Sequence, residues 1–371
     1  MKRFLLLSLV CLSFSYTYAQ YSIGQTSITF NDPDRFNRSV NTRIYYPQNS
    51  VNETFPVVVL GHGFVMGYDA YQNFYDELVP RGYIVAFVNT EGSFFANHDA
   101  YSKDLAFIAE AVQGENSDQS SVLYNIVSDK TALMGHSMGG GAATVAASLT
   151  EVETLVTFAP ALLRFDTLTP ASQVTEDAVV FSGTSDAVTS PGTNHIPVYD
   201  NLGSSCKYMI NIIGGAHCYY ANSNFFCDFG EISSGGNIQV TRPEQQETTF
   251  QFLNSWLDYK LKGDFSAKQT FESDLGSSSD ITPETNCSRL VQNVSDKLEL
   301  RAFPNPTNGM LNFELSEGKK LSKVEFYSSN GGLIRTFTSD KMNVSDMKPG
   351  NYFTKIYVGN TVLTKNILVQ E

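Results

Sequence analysis

The chain has 371 residues, of which 42% are hydrophobic and 17% charged, and a formal net charge of −13 at pH 7. The apolar share is that of a globular protein, which excludes a mostly disordered chain, and the charged share lies below the usual ~25%. No basic stripe offsets the negative charge, so nucleic acid and anionic membrane surfaces are excluded as charge-driven partners.

Taken in chain order, residues 1–20 carry Lys2 and Arg3, an apolar run over 4–12, and Tyr18-Ala19-Gln20. That pattern predicts a signal peptide cleaved near Ala19, with an apolar core too short to span a bilayer. Residues 21–265 alternate apolar, β-branched runs with helical patterns. Strands are expected at 55–60, 83–88, 131–134, 155–158, 178–181 and 208–213. Helices are expected at 73–80, 101–113, 140–149 and 250–261, the last carrying Trp256, the only Trp. Apolar runs without alternation, separated by helices, predict an α/β domain with a mostly parallel sheet covered on both faces. Residues 266–302 are rich in Ser, Asp, Glu and Thr and read as a tail or linker. Residues 303–371 change character. Short strands at 310–315, 323–328, 333–338, 351–358 and 361–369, spaced by Gly and Asn turns, predict a small all-β, sandwich-like domain.

Cys11 leaves with the signal, so Cys206, Cys218, Cys227 and Cys287 remain. An even number in an exported chain predicts two disulfides, and four cysteines allow three connectivities. A short Cys218–Cys227 loop is the expected bond, which leaves Cys206 with Cys287 by elimination. A zinc site would want Cys-x-x-Cys spacing, which is missing.

The strongest chemical signal is Gly135-His136-Ser137-Met138-Gly139-Gly140-Gly141, which follows a strand and opens a helix. That context defines a nucleophile elbow. A serine hydroxyl needs a base, and in this chemistry the chain order is Ser, acid, His. After Ser137 only His195 and His217 remain. His217 follows a strand and Gly214-Gly215-Ala216, on a loop at the sheet edge. His195 sits at an expected helix start. His217 is therefore the expected base, and Asp186, after strand 178–181, the expected acid. Asp166, Asp177 and Asp200 read as caps or surface residues. The segment Leu60-Gly61-His62-Gly63-Phe64 supplies the second half of an oxyanion hole, with the N–H groups of Phe64 and Met138 as donors. His62 precedes the serine, which suits a loop-shaping role. His98 has no evident partner.

These motifs, with Val188, Pro191 and Gly214-Gly215-Ala216-His217, resemble the bacterial cutinase and polyester (PET) hydrolase family over residues 21–290. The resemblance implies an α/β-hydrolase fold without a cap, ester hydrolysis without a cofactor or metal, and Ser137, Asp186 and His217 as the triad. It also implies that Phe64, Met138 and Val188 line the cleft. Family members often carry a Trp after the Ala-Pro strand end. Here Ala159-Pro160-Ala161-Leu162-Leu163-Arg164-Phe165 has none, which makes Phe165 the candidate substitute. Phe303-Pro304-Asn305-Pro306-Thr307-Asn308-Gly309 and the closing strands resemble the type A sorting domain of the type IX secretion system. A carbohydrate-binding module is the rival there, but few exposed aromatics suit sugar stacking.

The expectation is a secreted, monomeric serine esterase of cutinase type. Its partners are an ester or polyester substrate and, through residues 303–371, the type IX machinery. Lipid or small-molecule esters, as for chlorophyllase- or dienelactone-hydrolase-like enzymes, are the alternative. A hydrolase-fold binding protein without catalysis is a further one.

Overall fold

The structure, a computed structural model, describes residues 21–48, 52–287, 300–315, 320–328, 332–358 and 361–370. The expected signal segment lies outside the described residues. The chain forms two compact units that divide after Ser288.

The first unit opens with β1 (Ser22–Asp32) and β2 (Arg38–Gln48), paired antiparallel. There follow β3 (Phe55–Gly61), α1 (Gln72–Leu78), β4 (Ile84–Val88), α2 (His98–Gly114), β5 (Val127–His136) and α3 (Met138–Ala147). Next come β6 (Thr154–Phe158), α4 (Leu168–Ala171), β7 (Ala178–Gly183), α5 (His195–Asn201) and β8 (Cys206–Ile212). The unit closes with α6 (Phe225–Ser234), α7 (Arg242–Lys262), α8 (Phe265–Ser277) and β9 (Ile281–Cys287). All nine strands join one sheet in the order β1-β2-β4-β3-β5-β6-β7-β8-β9. From β4 to β8 every neighbour is parallel.

The apolar runs explain that burial. In β3, Phe-Pro-Val-Val-Val-Leu-Gly, every position is buried. The pleat sends Val57 and Val59 into one core, with Leu105 and Ile108 of α2 and Ala142 and Ala143 of α3. It sends Val58 and Leu60 into the other, with Phe252, Trp256 and Leu257 of α7. A sheet buried on both faces must be apolar on both, which is why alternation is missing. Among the described residues, no helix is long and apolar enough to cross a membrane.

Several features depart from the sequence expectation, among them helix α6, which lies where Ser, Asn and Gly read as a loop. The β1–β2 pair was not anticipated, because its strands mix buried and exposed positions with many polar residues. Helix α7 begins at Arg242 rather than near 250. A capping box, Thr241 with Glu244, and a proline in the first turn set that start. Residues 266–287, expected as tail, are folded. Phe271 of α8 packs between Tyr208 and Trp256, with ring centroids 5.0 Å from each. β9 pairs antiparallel with β8 from Cys206↔Cys287 to Ile212↔Ile281, and a Cys206–Cys287 disulfide closes that end. An edge strand exposes most of its side chains, so polar composition concealed it.

In the second unit, β10 (Leu300–Phe303), β11 (Met310–Leu315) and β14 (Lys341–Asn343) form one antiparallel sheet, ordered β10-β11-β14. The strands β12 (Lys323–Tyr327), β13 (Leu333–Phe337), β15 (Gly350–Val358) and β16 (Thr361–Val369) form another, ordered β13-β12-β15-β16. Leu311, Phe313 and Met342 of the first meet Val324, Phe326 and Ile356 of the second in one apolar cluster. This is the expected all-β sandwich, with β10 and β14 in addition.

A chain ending at 265 loses β9 and Phe271. Loss of one large buried aromatic alone costs about 3–5 kcal/mol. Such a chain should melt about 10 °C or more below one ending at residue 288, or aggregate, as read by circular dichroism and light scattering.

Candidate active site

β5 ends at His136 and α3 begins at Met138. Ser137 lies between them at φ 57°, ψ −122°, a strained backbone for a residue with a Cβ. Its N–H donates to the Phe158 carbonyl (2.9 Å), and its carbonyl accepts from the N–H groups of Gly140 (2.9 Å) and Ala161 (2.9 Å). Those bonds hold the turn. The flanking glycines are required by crowding. A Cβ on Gly135 would lie 2.1 Å from the Gly139 oxygen, and one on Gly139 2.2 Å from the Gly61 oxygen.

The loops after β7 and β8 bring two further groups to this turn. His217 Nε2 lies 2.9 Å from Ser137 Oγ, and His217 Nδ1 lies 2.7 Å from Asp186 Oδ2. The other Asp186 oxygen accepts from the N–H groups of Val188 (2.9 Å) and Thr189 (2.8 Å). Burial alone would push the Asp186 carboxyl up. The charge and hydrogen bond of His217 outweigh it and hold the group at about 2. Helix α7 fixes the backbone under His217. Gln245 accepts from the Ala216 N–H (2.8 Å) and donates to the Ala216 carbonyl (2.9 Å).

His136 ties these loops together. Its Nε2 lies 3.0 Å from the His217 carbonyl, which can only accept, so Nε2 carries the proton. Its Nδ1 then accepts from the Tyr71 hydroxyl (2.9 Å), which in turn accepts from the Gly63 N–H (2.7 Å). Complete burial, reinforced by the neighbouring His217, pushes His136 down to about 3.

His195, set aside in favour of His217, lies behind the acid. Its Nε2 is 3.4 Å from Asp186 Oδ2 and 3.0 Å from Thr189 Oγ1, and its Nδ1 is 2.8 Å from the Ser182 hydroxyl. It is wholly buried, and burial pushes it down to about 3. Thr189 Oγ1 also lies 2.8 Å from His217 Nδ1. Neither contact has a spacing signature, because one runs across the 187–194 loop and the other joins that loop to the loop after β8. Asp186, His195 and His217 together bring three possible ligand atoms within 4.8 Å of one another. A cation there would have to take His217 Nδ1 from Asp186 and break the 2.7 Å contact.

The remaining candidates are placed as follows. Phe64 and Val188 are partly exposed, and Met138 is buried at the first position of α3. Phe165 is half-buried and packs against the core under α2 and α3. His62 turns its ring nitrogens to the Gly63 and Thr90 carbonyls, 2.8 Å from each, while its N–H donates to Tyr101. His98 accepts weakly from the Arg164 N–H at 3.4 Å. Asp166 caps the turn into α4, and Asp177 pairs with Lys260. Cys218 and Cys227 form the second disulfide, between the residue after His217 and α6.

A parallel sheet entered by an outer hairpin, with a serine on the strand–helix turn at its centre, defines an α/β-hydrolase fold. No cap interrupts it between β6 and β7, where only the four-residue α4 is inserted. Residues 21–233 match the PET hydrolase-like family, and the chain belongs to it. Residues 301–370 match the secretion system C-terminal sorting domain, which ties the chain to that secretion machinery and to export or the cell surface. Over 190 residues, 50% of this chain, the sequence is 29% identical to a bis(hydroxyethyl) terephthalate hydrolase of Streptomyces coelicolor, and the match spans 56% of that protein.

The buried neutral histidines set a pH dependence. Unfolded histidine titrates near 6.5, whereas His136 and His195 titrate at about 3, so the unfolded chain takes up protons first as pH falls. Their contribution is complete above about pH 6.5 and is lost as pH falls toward 3. Urea midpoints measured from pH 7 to 4 should fall, and His195→Gln should flatten that decline.

Proposed function

We propose that the first unit is a serine carboxylic ester hydrolase that acts on polyesters and short acyl esters. The observation that carries this reading is the unbroken line Ser137–His217–Asp186, at 2.9 and 2.7 Å, on a strained strand–helix turn. In the proposed cycle, His217 Nε2 takes the Ser137 proton as Oγ attacks the ester carbonyl. The N–H groups of Phe64 and Met138 hold the oxyanion, helped by the positive end of α3. His217 then protonates the leaving alcohol, and water hydrolyses the acyl-enzyme by the reverse steps. Asp186 keeps the proton on His217 Nδ1 and stabilises the imidazolium. The PET hydrolase-like match and the terephthalate-ester chemistry in the relative's name support a polyester substrate. An uncapped site, open to a chain too large to enclose, supports it as well. The second unit is proposed to route the chain outward through type IX secretion after a signal peptide at 1–20. The proposed catalytic domain is 21–265, extended by the α8–β9 segment.

Ser137→Ala should leave the fold intact and lower turnover of p-nitrophenyl esters and an aromatic polyester film by on the order of 10⁶-fold. Retention of most of the rate would refute the assignment. A strong preference of the parent enzyme for triglyceride would move the reading to a lipase, and silence on every ester would move it to a binding protein. Deleting 303–371 should spare activity of the purified enzyme and retain it in the producing cells. Fractionation of the culture checks this, and normal yield in the medium would contradict it.

A further inference from the structure

Helix α6 has the sequence Phe-Phe-Cys-Asp-Phe-Gly-Glu-Ile-Ser-Ser. Phe225, Phe229 and Ile232 recur at i, i+4 and i+7, which is one apolar stripe. Such a stripe ordinarily faces a core. Here these side chains are 76%, 64% and 80% exposed, while Glu231 is 4% exposed and faces inward. The helix is built inside out.

It is not a loose segment. The Cys218–Cys227 disulfide ties it to the residue after His217. Glu231 accepts from the Cys218 N–H at 2.7 Å. Arg242 donates to the carbonyls of Cys218 and Ala221 and pairs with Asp228. The loop that carries His217 therefore fixes which face of α6 points out.

The stripe is continuous with the candidate site. Phe64 meets Phe94 edge-on (6.0 Å between ring centroids), and Phe94 meets Phe226 (5.5 Å). Phe226 meets Phe225 (5.4 Å), and Phe225 stacks on Phe229 (6.5 Å). A row of rings thus leads from the oxyanion loop out along α6. Contiguous exposed apolar surface of this kind is uncommon on a soluble unit and marks a place of contact.

We infer that this row is a docking surface for the face of a water-insoluble, uncharged polyester, which it aligns toward Ser137 through Phe64. The inference rests on the ester-hydrolase reading above and adds a binding face outside the reacting centre. Two observations select this occupant. The row begins at Phe64, next to Gly63, whose N–H is tied through Tyr71 and His136 to the loop of His217, so a chain lying on the row is led toward that loop. Its charge is wrong for a phospholipid surface: α6 has no Lys or Arg, Asp228 is paired with Arg242, and the chain is acidic overall. Membrane-surface helices set basic residues beside their apolar face, and an uncharged polymer needs none. Aromatic rings offer broad apolar contact at little loss of side-chain freedom.

The test separates binding from turnover. In the Ser137→Ala chain, adsorption isotherms are measured on amorphous aromatic polyester film and on phosphatidylcholine–phosphatidylglycerol vesicles. Phe225→Ser/Phe229→Ser should weaken film adsorption about tenfold or more, with vesicle binding negligible throughout, and Phe225→Tyr/Phe229→Tyr should restore most of it. In the active chain the same serine pair should leave p-nitrophenyl ester turnover within about twofold and lower film hydrolysis at subsaturating enzyme. Unchanged film adsorption overturns the proposal. So does vesicle binding that falls in step with film binding, or a dimer in sedimentation that the serine pair dissociates. Preserved soluble-ester turnover shows that each variant is folded. An inactive parent would refute the ester-hydrolase reading, while the film isotherms would still decide whether the row binds polyester.

Discussion

The site depends on one close approach of backbones. Gly61, at the end of β3, Gly135, near the end of β5, and Gly139, in the first turn of α3, crowd so tightly that no Cβ fits at Gly135 or Gly139. Only this pinch lets the chain reverse sharply enough to hold Ser137 at a positive φ. The strain there is offset by hydrogen bonds to Phe158, Gly140 and Ala161 and by the packing of α3, every residue of which is buried. A side chain larger than hydrogen at Gly139 would push α3 from β3, and the serine would move with it.

The second level of order is polar and buried. Gly63, Tyr71, His136 and the His217 carbonyl form a single hydrogen-bonded line beside the core of Val58 and Leu60, to which Tyr71 belongs. It joins the loop after β3 to the elbow and to the loop after β8. Burial disfavours the charged form, and neutral His136 serves both ends as the Nε2–H tautomer. On the other side, Thr189 and His195 close around the Asp186 carboxylate, so the acid has partners on every side and little freedom to turn. Such support is what keeps a histidine between two partners within the few tenths of an ångström that proton transfer needs.

Legibility in the sequence followed the source of each signal. The parallel strands were readable because burial on both faces forces unbroken apolar runs, as in Phe-Pro-Val-Val-Val-Leu. The elbow was readable because steric crowding demands glycine at fixed spacing. The hairpin β1–β2 and the edge strand β9 were not, because solvent on one side permits almost any polar residue and pairing is set by the neighbour. His195 was passed over because its contact with Asp186 arises from the path of a loop, which no local pattern encodes. Helix α6 was not expected, because Ser, Asn and Gly across 222–236 read as a loop, and the apolar period inside that stretch does not say which way a stripe faces. That depends on Glu231, Arg242 and Cys227 reaching partners elsewhere in the chain.

The position of β9 bears on how such a chain comes to be finished as it is exported. The elbow and the loops bearing Asp186 and His217 all precede it, so they leave the ribosome, or emerge from a membrane, before the strand that covers the outer edge of β8. Until then the backbone of β8 is an open template for any passing strand. The Cys206–Cys287 bond secures β9 in that register, and thiols join lastingly only in an oxidising compartment. The strand that covers this edge is thus the last of the unit in chain order, and the covalent lock on it is one that an oxidising compartment completes.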